Sequence, residues 1–292
     1  MKTSETASNK FEYEIADKIK SWLETTPYKD DLEVEKYNES DNKYYSDIFI
    51  RNKNNDKRIW VEVKKNKYAN FASTSFKFKD NKWECTTLDD NDPLLKLYLD
   101  AINEHGKKFV DFCKDFLKKE DISLPKDITK ELVDAWKVSG NIEDTDNDTQ
   151  FITDKIPLDE FGFKVAEYYK FSKNEPVYYL QSDDELYVID PNYNVLGLKC
   201  KDGKEIKPLS EAYKIGRIQF RLKGQEKYNG DSTKQYFSIF MDNKILADKE
   251  NKDEEYSCSF KSSEKWPVVD NESDNSENKE ELNESLKNFG VL

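Results

Sequence analysis

Between Asp47 and Lys64, two short runs of β-favouring residues stand either side of a polar turn. No other pattern in the chain limits the fold as much. Ile48-Phe49-Ile50 and Ile59-Trp60-Val61-Glu62-Val63-Lys64 flank Arg51 to Lys57, a stretch of Asn, Asp, Lys and Arg, which predicts a β-hairpin. Asp47 opens the first strand. Side chains alternate along a strand, so Glu62 and Lys64 share one face while Val61 and Val63 share the other. Two carboxylates and an ammonium at one end of a hairpin suit divalent-metal phosphodiester chemistry. Asp47 and Glu62 would hold Mg²⁺, and Lys64 would stand beside the attacking water or the phosphate.

Asp47 followed by Glu62-Val63-Lys64 on the next strand resembles the PD-(D/E)xK nuclease superfamily, with the restriction-endonuclease-like fold. Ser46 stands where the motif's namesake proline would be. The resemblance implies an α/β fold, a mixed central β-sheet flanked by helices, here with additional helical and β insertions. It implies Mg²⁺-dependent cleavage of double-stranded DNA, in the type II restriction form at a specific sequence. Asp47, Glu62 and the Val63 carbonyl would be the metal ligands, and Lys64 would orient or activate the water. Products with a 5′-phosphate and a 3′-hydroxyl are implied as well. A repair, recombination or phage DNA-processing nuclease on the same fold stays open, as does a catalytically idle DNA-binding protein. The plain structural alternative is a solvated hairpin face with a surface ion pair.

Upstream, Phe11, Ile15, Ile19, Trp22 and Leu23 recur at helical spacing and predict one apolar face on a helix from about Lys10 to Leu23. Glu12 falls inside that face, and a carboxylate aimed at a core is costly unless it is paired or binds metal. The superfamily often carries a Phe-Glu pair on its first helix, and Phe11-Glu12 is similar to it. By that resemblance Glu12 would assist a second metal or the water network. Glu14 lies off the face. Downstream, Lys65 to Trp83 is rich in Lys, Asn and aromatics, with almost no acid before Asp80. Lys65, Lys67 and Asn70 are candidate DNA contacts there, because Lys meets phosphates and Asn can meet a phosphate or adenine. Arg217 to Lys223 alternates basic and polar residues with apolar ones, which makes Arg217 and Arg221 two further DNA-contact candidates. An ordinary surface hairpin and a solvated strand are the corresponding plain readings.

The net charge of -13 argues against a protein that coats nucleic acid without specificity. About half of that excess lies from Asp248 onward, while the segment around Lys43 to Lys82 is locally basic. A single histidine, His105, excludes nucleases that need several histidines. Asn103-Glu104-His105-Gly106 reads as a helix break. Neither a phosphate-binding Gly-x-x-x-x-Gly-Lys-Ser/Thr nor a Gly-x-Gly-x-x-Gly occurs, so nothing points to a nucleotide motor or a dinucleotide enzyme. Four scattered cysteines without a CxxC read as reduced thiols, and with no apolar leader or spanning run they predict a cytoplasmic protein without membrane contact.

The expected organisation is one nuclease domain over 1–247. Its catalytic core takes in about 10–90 and 160–190, a helical insertion about 93–140, and a β-rich DNA-contact part about 177–245. The residues from 248 to 292 are expected to be an acidic tail, partly disordered, with low complexity over 270–287. A third core strand is expected at about 74–87, a helix at Ile128 to Val138, an acidic loop at Asn141 to Gln150 and a helix at Leu158 to Phe171. Strands are expected at Val177 to Gln181, Leu186 to Ile189, Ile215 to Leu222 and Tyr236 to Met241. A palindromic site would favour a homodimer.

Overall fold

In the computed structural model the described residues are 7–37, 45–65, 71, 75–80, 82–85, 88, 90–121, 135, 142–146, 149–171, 173–182, 185–200, 205–213, 215–228, 235–247, 258–259, 284 and 287. The chain is mixed α/β and divides into two compact units where the sequence predicts one domain over 1–247. The first takes in 1–69, 160–214 and 249–292, and the second takes in 70–159 and 215–248.

The first unit opens with α1 (Ala7–Leu23) and continues through β1 (Leu32–Lys36), β2 (Ile48–Asn52) and β3 (Arg58–Lys64). After the second unit's first segment the chain returns as α3 (Phe161–Phe171), β8 (Val177–Ser182), β9 (Glu185–Val188) and α4 (Leu209–Ala212). These strands, with β12 (Cys258–Ser259), form one sheet in the order β1-β2-β3-β8-β9-β12. All neighbours are antiparallel except β3 and β8, which run parallel.

The predicted helix forms because its apolar stripe has a sheet to cover. Ile15, Ile19, Trp22 and Leu23 are buried against Ile48, Ile50, Ile59, Val61 and Val63, with Phe11 partly buried at the rim. Full burial of such side chains stabilises by about 1.5–3 kcal/mol each, which outweighs the helix's indifferent local propensity. The hairpin turn is built by its Asn and Asp residues. Asn52 accepts Asn54 N–H on its side chain at 2.6 Å and Asp56 N–H on its carbonyl at 2.9 Å. Asp56 adopts a positive φ of 59°, a conformation that Asp tolerates better than most residues.

Strand alternation sorts the two faces. In β3, Ile59, Val61 and Val63 join the core under α1, so Trp60, Glu62 and Lys64 point the other way. In β9, Leu186 and Val188 join that core, and Tyr187 on the opposite face meets the ring of Tyr213. Tyr213 in turn packs edge-on to Phe161 of α3. The sheet therefore lies between α1 and the α3–α4 pair. Gly162 permits that pairing, because a Cβ there would lie 2.2 Å from the Leu209 carbonyl oxygen. Gly162→Ala is expected to lower stability by about 1–3 kcal/mol, read as a fall in denaturation midpoint. An unchanged midpoint would mean that the two helices separate at no cost.

The second unit holds β4 (Ser75–Lys79), β5 (Lys82–Cys85), α2 (Leu95–Leu117), β6 (Ile142–Asp146), β7 (Thr149–Asp159), β10 (Ile215–Tyr228) and β11 (Gln235–Ala247). Its sheet runs β5-β4-β11-β10-β7-β6. Three sequence expectations change here. The pair at 74–87 is not a core strand of the first sheet, because β4 pairs with β11. The core position that it was to fill is taken by β1, where Leu32 and Val34 alternate with Glu33 and Glu35. Within the supposed acidic loop at Asn141 to Gln150, the described residues 142–146 and 149–150 are strand, because β7 pairs with β10 and brings β6 with it. Gly106 does not break a helix. It lies inside α2, where a Cβ would fall 2.6 Å from Trp83 Nε1, so the glycine makes room for the indole.

Of the remaining expectations, the helix at Ile128 to Val138 lies outside the described residues apart from 135, and so does most of the acidic tail. One piece of that tail, β12, pairs with β9. Cys200 is disulfide-bonded, which corrects the reading of four reduced thiols, while Cys85 and Cys113 are free. Spacing along the chain carries no signal for a pairing between distant cysteines. Among the described residues no helix is long and apolar enough to cross a membrane.

Candidate active site

Asp47, Glu62 and Lys64 come together where β2 begins and β3 ends. The β2–β3 ladder stops at Ile48 opposite Val61, which leaves the Val63 N–H beyond the last backbone partner. Asp47 Oδ2 accepts that N–H at 2.8 Å. The carboxylate thus extends the ladder by one bond and is held in place by it. Glu62 is 4% exposed, and Lys64 Nζ donates to its Oε1 at 2.6 Å.

The other Glu62 oxygen, Oε2, has no hydrogen-bond partner although it is buried. Two buried hydroxyls stand close by. Ser46 Oγ lies beside Glu62 and favours its charged form, and Ser182 Oγ, without a hydrogen-bond partner, is on the residue of β8 that pairs with Lys64. Native interiors satisfy most buried polar atoms, so the orphaned Glu62 oxygen and Ser182 hydroxyl mark a place built to meet a ligand or ordered water.

The two carboxylates are driven apart electrostatically. Burial, then the charge of Glu62, pushes the Asp47 carboxyl up to about 7, against the opposing pull of Lys64 and the Val63 N–H. Burial also disfavours the Glu62 anion, but Lys173 and Lys64 outweigh it and hold Glu62 well below the usual carboxylate range. Lys64 is held charged: burial opposes its proton, and Glu62 and Asp47 overcome that opposition. One acid close to neutral pH beside one that stays ionised is a common arrangement in active sites.

Glu12 has an ion pair of its own. It is on α1, which covers the other face of the sheet, and its carboxylate pairs with Lys36 Nζ at 2.9 Å. Its charge still acts on Asp47. Lys65 is exposed at the end of β3. Lys67 and Asn70 lie outside the described residues. Arg217 and Arg221 are on β10 of the second unit, opposite Leu246 and Asp242 of β11.

Sequence reasoning missed Lys173. It follows α3, and its Nζ lies 3.9 Å from Glu62 Oε2 with only 7% of the side chain exposed. No spacing or periodicity marks it, because the fold alone brings it to Glu62 from 111 residues away along the chain.

The donor set suits a hard divalent cation: Asp47 and Glu62 carry the carboxylate oxygens, one of them orphaned. Among the described residues no group of three or more His, Cys, Asp or Glu converges. Mg²⁺ fits such a sparse set, since it is commonly held by one or two carboxylates and otherwise by water and substrate phosphate. Comparison with protein-family models, with curated proteins and with solved structures finds no match to this chain.

Proposed function

We propose that the chain is a metal-dependent endonuclease of double-stranded DNA on the restriction-endonuclease-like fold, with sequence-specific type II cleavage as its form. The carrying observation is the buried convergence of Asp47, Glu62 and Lys64 around an unpartnered Glu62 oxygen. The connectivity of the first unit supports the same reading. Its order α1-β1-β2-β3-α3-β8, with β3 and β8 parallel, gives the mixed sheet flanked by helices that the resemblance implies.

Asp47 and Glu62 would hold Mg²⁺, with the Val63 carbonyl as a further ligand by resemblance. When bound, Mg²⁺ supplies Lewis-acid activation of water and neutralises charge on the phosphate. Asp47 would hold the cation as the carboxylate, and Lys64, kept charged beside Glu62, would offer its ammonium to the attacking water and the scissile phosphate. The cluster's burial keeps bulk water from screening these charges.

A second reading has its own support. Lys64 and Lys173 already offset the charge of Glu62, as they would in a catalytically idle DNA-binding protein that kept the fold. Digestion of supercoiled plasmid with and without Mg²⁺ separates the possibilities. Discrete fragments indicate restriction, a smear indicates a processing nuclease, and intact plasmid indicates the idle binder.

DNA contact is testable apart from cutting. Replacing Lys67 and Asn70 with alanine is expected to weaken duplex binding measured in Ca²⁺. It should also lower the log–log salt slope by about one unit for the lost phosphate contact. An unchanged affinity and slope would remove the segment after Lys64 from the interface.

A further inference from the structure

We propose that Lys173 is a second cationic phosphate-binding group, and that the site therefore takes one divalent cation rather than two. This rests on the nuclease reading above and deepens it.

The geometry of Lys173 is that of a group waiting for a ligand. A buried ammonium has three protons to place and is costly if they are not placed. One goes to the Tyr45 carbonyl oxygen at 3.1 Å. The nearest carboxylate oxygen, Glu62 Oε2, is 3.9 Å away, beyond hydrogen-bond reach. A lysine serving only to neutralise Glu62 would close that gap, as Lys64 does on the other oxygen at 2.6 Å. Lys173 instead stands off, anchored by Tyr45, with donor capacity left over beside the metal-binding carboxylate.

Charge counting reaches the same point. Asp47 and Glu62 are offset by Lys64 and Lys173, and Glu12 is offset separately by Lys36. One divalent cation then balances the charge of the phosphodiester plus the hydroxide that attacks it. A second divalent cation would leave the buried cluster doubly positive at the moment of reaction. In a low-dielectric site such an imbalance is expensive. Lys173 stands in place of the second metal. In the reaction, hydroxide oxygen forms a bond to phosphorus as the bond to the leaving 3′-oxygen breaks. That oxygen takes a proton from solvent, and Lys173 holds a non-bridging oxygen throughout.

The test uses the full-length chain, with Lys173→Met and Lys173→Arg beside the wild type. Calorimetric titration with Mn²⁺ is expected to give one ion per chain. Lys173→Met should bind Mn²⁺ about threefold more tightly or better, because a repelling charge is gone. The same variant should cut duplex DNA about a hundredfold or more slowly in single turnover. Lys173→Arg keeps the charge and should keep Mn²⁺ affinity near the wild-type value and most of the cutting. A purely structural lysine would give losses in both metal binding and cutting on conversion to Met, and that result would overturn the proposal. So would two Mn²⁺ per chain, or wild-type cutting by Lys173→Met, and both would leave the nuclease reading intact. A wild-type chain that neither binds Mn²⁺ nor cuts DNA would overturn the nuclease reading and the proposal together.

Discussion

Alanine at Asp47, Glu62 or Lys64 is expected to abolish DNA cleavage, with single-turnover rates falling by about a thousandfold or more. The three losses should differ in kind. Asp47→Ala and Glu62→Ala would each remove a proposed metal oxygen, so raised Mg²⁺ or Mn²⁺ should restore part of the rate. Lys64→Ala removes a positioned charge, so extra metal should help less, and its duplex binding in Ca²⁺ should survive. Stability should separate them as well. Glu62→Ala strands Lys64 and Lys173 in a buried site, and breaking a buried pair from one side costs about 3–5 kcal/mol. Glu62→Gln keeps the shape of the site and is the companion variant for reading activity in a folded chain. Wild-type cutting by any of these variants would remove the assignment.

Asp47→Asn should behave in the opposite way and raise metal-free stability above neutral pH. The amide oxygen can still accept the Val63 N–H, while the repelled charge is gone. Asp47 has a folded-state value near 7, against about 3.9 in an unfolded chain. The folded state therefore binds its proton more tightly. As pH rises from about 4 through about 7, the unfolded state ionises first, and Asp47 progressively lowers stability. The full cost, at most about 4 kcal/mol, is present above about pH 7. Glu62 runs the other way, stabilising the fold above the ordinary carboxylate range and ceasing to do so as pH falls towards about 2. Thermal denaturation without metal should show Asp47→Asn several degrees above wild type at pH 8 and close to it at pH 4. An equal gap at both values would mean that Asp47 does not hold a proton in the free protein. A cation held by Asp47 would expel that proton, so wild-type Mn²⁺ affinity is expected to climb about tenfold per pH unit up to about 7 and then level off.

The elements whose cause is local were legible in the sequence. The stripe from Phe11 to Leu23 and the Asn-rich turn between two β runs each declare themselves within a few residues, and both formed. Alternation in β3 assigns Glu62 and Lys64 to one face, and they pair there. Features set by distant partners were not legible. Glu143 and Asp144 read as loop because their strand is created by pairing with β7, itself held by β10. Gly106 read as a break because the reason for it is Trp83, on another element. The stripe made Glu12 a candidate, but its partner Lys36 lies on a strand whose two apolar residues, Leu32 and Val34, are too few to stand out. Lys173 carried no signal at all, since it is placed only by the return of the chain after α3.

End-group chemistry on a duplex cut by the wild-type chain tests the central claim most directly. Hydrolysis at a site built from Asp47, Glu62 and Lys64 predicts cleavage in Mg²⁺, none in EDTA, and fragments that DNA ligase rejoins without prior kinase treatment, because they carry 5′-phosphates and 3′-hydroxyls. Cutting that persists in EDTA, 3′-phosphate ends, or a duplex left whole in both Mg²⁺ and Mn²⁺ would contradict it.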